Sequence, residues 1–162
     1  MKRLGFWVVA ISMLLAGCGF QMRGEWQLPA VMQNTVISGG NQVLYTHLQR
    51  EFRAASAELS RPQGDVSGAH IIIQLNQMDK RVLSVDSRGK VIEYEIYYDL
   101  HFKLLDGTGN QIVPPQKINL TRDYPFVATD VLGASQEEVL LRNDMYRDMA
   151  RQVMRRIQSQ TQ

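Results

Sequence analysis

The stretch from Ile92 to Leu104 limits what this chain can fold into more than any other. Ile92, Tyr94, Ile96, Tyr98, Leu100, Phe102 and Leu104 take alternate positions, and Glu93, Glu95, Tyr97, Asp99, His101 and Lys103 fill those between. Successive side chains of a strand point to opposite faces, so the pattern predicts an antiparallel strand with one covered and one polar face. Such a strand requires a second layer over its apolar side.

The flanking segments supply its neighbours. Ala69 to Val85 is strand-like and opens with Ile71-Ile72-Ile73. Its alternation holds to Gln77 and blurs through Met78-Asp79-Lys80-Arg81, where a bulge or bend is expected. Ser87-Arg88-Gly89-Lys90 forms a turn into the central strand, and Asp106-Gly107-Thr108-Gly109-Asn110 forms a second turn out of it. Pro114-Pro115 interrupts, and Lys117 to Tyr124 makes the last strand of a meander.

The covering layer comes from both ends of the meander. Thr35 to Ser38 is a short β-branched strand closed by Gly39-Gly40, and Asn41 can cap the helix that follows. Leu44, Leu48, Phe52, Ala55 and Leu59 lie on one helical stripe, which Pro62-Gln63-Gly64 ends. At the other end, Ser135 and Glu138 have capping-box spacing. Leu141, Met145, Met149, Val153 and Ile157 then recur every turn, joined by Tyr146, Ala150 and Met154. The order β-α-β-β-β-α predicts an α+β two-layer sandwich, with two helices packed on one face of a roughly four-stranded mixed sheet. The other face, with Glu93, Glu95, Tyr97 and His101, is left for solvent or a partner.

The first residues are of a different kind. Lys2 and Arg3 precede an apolar run, Leu4 to Leu15, interrupted only by Gly5 and Ser12. A bilayer span needs about 20 apolar residues, so this run has the length of a signal-peptide core instead. Leu15-Ala16-Gly17-Cys18 ends it with the only cysteine of the chain and resembles the bacterial lipobox. Residues 1–17 are then a removed lipoprotein signal peptide, and residues 18–162 form a single domain whose residues 18–30 lie next to the anchor. Acylation at Cys18 consumes the thiol, and no disulfide or other cofactor is expected beyond that covalent lipid. Gly19 in place of an Asp implies, by resemblance to enteric-type lipoproteins, transfer to the outer membrane.

Charge and motifs exclude several functions. The 18 Lys and Arg stand against 16 Asp and Glu, and losing Lys2 and Arg3 leaves 16 of each, so no nucleic-acid partner is expected. His47, His70 and His101 lie on separate elements, without the spacing of a metal site. No nucleophile elbow or Walker loop is present, and Gly107-Thr108-Gly109 lies in a hairpin rather than before a helix. No catalytic and no metal-binding residues are therefore assigned. Arg142, Arg147, Arg151, Arg155 and Arg156 fit a solvated helix face, with Asp144 and Asp148 as local partners. Arg88 and Lys90 at the hairpin tip have no acid closer than Asp86, and the tip is either an ordinary polar turn or a site for phosphate or carboxylate.

Three segments together resemble one known family. Cys18-Gly19-Phe20-Gln21-Met22-Arg23-Gly24 resembles the mature start of the LptE family of lipopolysaccharide-assembly lipoproteins. Gly89-Lys90-Val91-Ile92-Glu93-Tyr94-Glu95 resembles its second hairpin strand, and Asp144-Met145-Tyr146-Arg147 through Arg155-Arg156-Ile157 resembles its last helix. The resemblance implies a non-enzymatic lipoprotein, triacylated on Cys18, that plugs and helps assemble the outer-membrane β-barrel LptD. It also implies binding of lipopolysaccharide (LPS) during its passage to the cell surface. Arg88 holds the position of a family arginine proposed to contact LPS phosphates, with Lys90 beside it. The loop Asp130-Val131-Leu132-Gly133-Ala134, where the family can carry a second basic residue, has none. The alternative is an auxiliary or cell-wall-binding outer-membrane lipoprotein of another envelope machine.

Overall fold

The computed structural model describes residues 28–64, 68–127, 129 and 131–161, without the side chains of 131 and 132. The leader, Cys18 and the chain up to residue 27 lie outside the described residues. A single 3-10 turn, Ala30–Met32, leads into β1 (Asn34–Ser38), α1 (Gln42–Ala54) and β2 (Glu58–Ser60). The meander β3 (Ala69–Val85), β4 (Val91–Leu105) and β5 (Gln111–Pro125) follows, and then α2 (Val131–Thr161). Among the described residues the strands form one sheet in the order β2-β1-β3-β4-β5. β1 is parallel to β2 and β3, and the β3-β4 and β4-β5 pairs are antiparallel. The α+β class and the mixed sheet are as expected; the sheet has five strands rather than four.

The additional strand is β2, and it corrects the placement of Leu59. The helix stops at Ala54 because Ser56 takes a left-handed conformation (φ 55°). Ser56 N–H then donates to Arg53 O at 3.1 Å and Ala57 N–H to Phe52 O at 3.0 Å, satisfying carbonyls that the helix leaves open. Leu59 sits in a three-residue strand and is buried all the same. Helix stripe and strand both bury a leucine here, so spacing alone does not distinguish them. At the other end of α1 the expected cap is present, with Leu44 N–H donating to Asn41 Oδ1 at 2.9 Å.

Two further corrections concern strand regularity. The register of β3 on β4 shifts between Ile73 and Leu75, so Gln74 is the extra residue of a bulge and the phase reverses there. Ile71 and Ile73 face the helices before it; Asn76, Met78, Lys80 and Val82 do so after it, opposite Leu100, Tyr98, Ile96 and Tyr94. The blurred alternation expected to mark a bulge at Met78–Arg81 is the downstream effect of Gln74, and more shifts follow between Val82 and Val85. In β5, Pro114 and Pro115 lie inside the strand instead of breaking it. The pairs Phe102–Gln116 and Leu104–Val113 bracket an irregularity that absorbs them. β5 is an edge strand, where a missing N–H on the outer side removes no ladder bond.

The core lies between the helix-side face of the sheet and the helices. Ile96, Tyr98, Leu100, Phe102 and Leu104 of β4 meet Leu44, Leu48 and Phe52 of α1 and Met145, Met149, Val153 and Ile157 of α2 in one buried cluster. Inside it the Tyr98 hydroxyl donates to Asn76 Oδ1 at 2.6 Å, and burial pushes its pKa well up. The alternation that predicted this face holds from Ile96 onward, whereas Ile92 extends past the core and is exposed.

Both helices run toward the end of the sheet where β1 begins. α1 returns from the end of β1 to the start of β2, which runs parallel to it. α2 has Glu138 beside Lys80 and, further along, Tyr146 against Tyr98, so it follows the direction of β4. His47 contacts Asn143 and Glu51 contacts Arg151, so the two helices run the same way. The opposite end carries the β3-β4 turn.

Candidate functional site

The β3-β4 turn is built by its first residue. Asp86 N–H donates to Lys90 O at 2.7 Å and Gly89 N–H to Asp86 O at 2.9 Å, with Gly89 at φ 77°. Asp86 Oδ1 accepts the N–H groups of Arg88 at 2.8 Å and Lys90 at 3.0 Å. Its Oδ2 accepts Arg88 Nη2 at 3.0 Å and Nε at 3.2 Å. The Lys90 and Arg88 backbone donors hold the Asp86 carboxyl below its ordinary pKa. The second turn repeats the design: Asp106 Oδ1 accepts the N–H groups of Thr108 and Asn110, each at 2.8 Å. An aspartate opening each turn was the visible signal, and it is more than the nearest acid.

The structure thus brings Arg88 and Lys90 onto one exposed tip, with Arg88 oriented by Asp86 and three-quarters exposed. β5 ends opposite Glu93, so the hairpin projects beyond it as a two-stranded ribbon. Below the tip, Val82, Leu83, Val85 and Ile92 are each 43–51% exposed. Cations above apolar side chains fit an anionic amphiphile: guanidinium and ammonium donors take phosphate oxygens, and the ribbon offers apolar surface beneath.

A second constellation joins the ribbon's base to α2. Glu138 accepts Lys80 Nζ at 2.6 Å, Tyr124 Oη at 2.8 Å and Arg142 Nε at 2.8 Å. Lys80 also lies 5.0 Å over the Tyr94 ring, which stacks on Tyr124 and meets Phe126 edge-on. Burial alone would raise the Glu138 pKa, but the three donors outweigh it and hold it at about 2. The capping-box reading of Ser135 and Glu138 is corrected here: α2 begins at Val131, a turn earlier, and Glu138 faces the sheet. Residues 131–134, expected in a loop, are already helical. A lysine that interrupts the alternation of β3 was the one sign of this latch.

The remaining candidates stay apart. His47 Nε2 is 3.0 Å from Asn143 Oδ1, joining the helices. His70 Nε2 is 2.7 Å from Ser38 Oγ, and burial and then Lys103 lower its pKa. His101 lies on the open face. Among the described residues no group of His, Cys, Asp or Glu is placed to hold a metal ion. On the open face Arg81 pairs with Glu95 at 2.5 Å and lies over Tyr97. On α2, Arg147 pairs with Asp144 at 3.0 Å as expected, but Asp148 turns to Arg122 of β5 at 2.9 Å. Among the described residues no helix is long and apolar enough to cross a membrane.

This architecture is that of a group of bacterial lipoproteins. The chain is similar to the uncharacterized lipoprotein B of Nitrosomonas europaea, at 30% identity and a TM-score of 0.69, over 85% of this chain and 88% of that one. Rare lipoprotein B of Shewanella oneidensis shares the fold at 21% identity and a TM-score of 0.65, over 78% of this chain and 94% of that one. Residues 27–157 match the lipopolysaccharide-assembly family LptE, and the chain belongs to that family. It is 22% identical over 160 residues to the LPS-assembly lipoprotein LptE of Pectobacterium atrosepticum, covering 96% of this chain and 85% of that protein. Its role lies in lipopolysaccharide assembly, as a lipoprotein of the Gram-negative envelope.

Proposed function

We propose that this chain, held in the outer membrane by lipid on Cys18 after removal of residues 1–17, plugs and helps assemble the β-barrel LptD and binds LPS during its insertion into the outer leaflet. The observation that carries the reading is the projecting ribbon, with Arg88 and Lys90 set above Val82, Leu83, Val85 and Ile92. LPS presents phosphates beside acyl chains, and this end of the molecule offers partners for both in that order. Asp86 keeps the Arg88 guanidinium at the tip, where it can give donors to a phosphate without first being ordered. The open sheet face, with Arg81, Glu95, Asp99 and Asn119 among its residues, is polar enough to face a water-filled lumen.

Two measurements test the reading. Gentle detergent extraction of native membranes is expected to recover the chain in a stable complex with a large barrel; recovery only as free monomer, while other barrel complexes survive, rejects the plug. Arg88→Glu combined with Lys90→Glu is expected to weaken LPS binding about tenfold or more, since charge-assisted bonds are lost. Both side chains are exposed and the Asp86–Arg88 pair is a surface one, so stability should fall by no more than about 1 kcal/mol. Unchanged LPS affinity would remove the tip from the binding site.

A further inference from the structure

We infer that the end of the helix layer carrying Arg50, Arg53, Arg155 and Arg156 docks on the anionic phospholipid headgroups of the leaflet that anchors the chain. All four side chains are exposed, and among the described residues none of them has an ion-pair partner. They lie in the last two turns of the two helices. Glu51 contacts Arg151 at 3.5 Å, and from that contact both helices continue in the same direction, to Arg53 in α1 and to Arg155 and Arg156 in α2. The contact also engages Glu51, which leaves Glu58 as the one carboxylate of the α1–β2 stretch without an ion pair among the described residues. In a chain formally neutral once Lys2 and Arg3 are removed, this is a local excess of positive charge.

The position of the cluster selects its partner. Both helix C-termini lie at the end of the sheet where the chain enters, with Leu28 packed against the core and β1 beginning at Asn34. Cys18 precedes Leu28 by ten residues, a reach of at most about 35 Å. An acylated Cys18 therefore keeps this end, and not the hairpin end, near the leaflet. Acyl chains and a basic patch together give firmer residence than either alone, and each arginine at an anionic surface adds about fivefold. The inference rests on the anchoring of Cys18 in the reading above and is independent of the barrel.

The test uses the chain from Gly19 to Gln162, which contains every residue of the buried core described above. Flotation is measured with phosphatidylethanolamine vesicles containing about one-third phosphatidylglycerol, and with phosphatidylcholine vesicles. Binding is expected to the anionic vesicles only, to fall as salt is raised, and to drop at least about tenfold in the Arg50→Gln, Arg53→Gln, Arg155→Gln, Arg156→Gln variant. If that variant melts early, the Arg155→Gln, Arg156→Gln pair alone is expected to lose about half of the logarithmic effect. Equal binding to phosphatidylcholine overturns the inference. So does undiminished binding by the folded variants, or a loss confined to Arg88→Glu with Lys90→Glu. Failure here leaves the barrel extraction standing, and a missing barrel complex leaves the vesicle result standing.

Discussion

Gly39→Ala is expected to lower the stability of the chain by about 3 kcal/mol, and its melting temperature by about 10 °C. Gly39 closes β1 at φ 79°, in the left-handed region. An added Cβ there would sit 2.5 Å from the carbonyl oxygen of Ile73, which is backbone of the adjoining strand and cannot swing aside. Left-handed alanine costs about 1–2 kcal/mol, and separating β1 from β3 supplies the rest. Gly89→Ala is the matching control, because Gly89 has φ 77° but nothing within 4 Å of its added Cβ. It should cost only the conformational part. Equal losses in urea melts of the two variants would show that the close approach to Ile73 does not matter.

The second large effect concerns the latch at Glu138. Its folded pKa of about 2 lies below the ordinary 4.5, so the carboxylate stabilises the fold above the unfolded value and loses that contribution as pH falls toward 2. Undiminished, the difference would be worth about 3 kcal/mol; partial exposure and screening reduce it to about 1.5 kcal/mol. Glu138→Gln should therefore destabilise by about 1.5 kcal/mol at neutral pH, and variant and parent should converge between about pH 5 and pH 2. The loss should be local at first. Among the described residues the buried ones of α2 run from Met145 to Ile157, and before them Glu138 ties the helix to the sheet while Leu141 is partly buried against the core. Hydrogen exchange in residues 135–144 is expected to quicken before that of the C-terminal half. Uniform quickening, or an unchanged acid limb, would assign the latch no role.

Which parts of this molecule are visible in its sequence follows from physics. The meander was legible because alternation, aspartate-led turns and glycines at positive φ agree with one another from Ile71 to Tyr124. The stripe of α1 was legible up to Phe52 and misled at Leu59, because a short strand after a tight helix end buries a leucine at a helical interval. Pro114 and Pro115 misled for another reason: whether a proline breaks a strand depends on which side has a neighbour, and that is a property of the whole sheet. At the candidate site the turn around Arg88 and Lys90 is local and was visible. The apolar side chains beneath them were not, because Val82 and Ile92 look like core residues in the alternation, yet both are exposed in the folded chain. The latch was invisible for the same reason, since Lys80, Tyr124 and Glu138 meet only in the folded chain.

The unpaired Gln74 imposes a rule of parity on β3 as far as Val82. Its single extra residue decides which face the side chains from Leu75 to Val82 take, so Val82 and the latch lysine stand on the helix side because of it. Removing Gln74 would turn Lys80 and Val82 outward and Arg81 inward, although nothing near the tip had changed. The hairpin can therefore lengthen or shorten only by even steps matched on both strands, unless a new bulge restores the phase. Its reach is adjustable in units of about 7 Å and not between them.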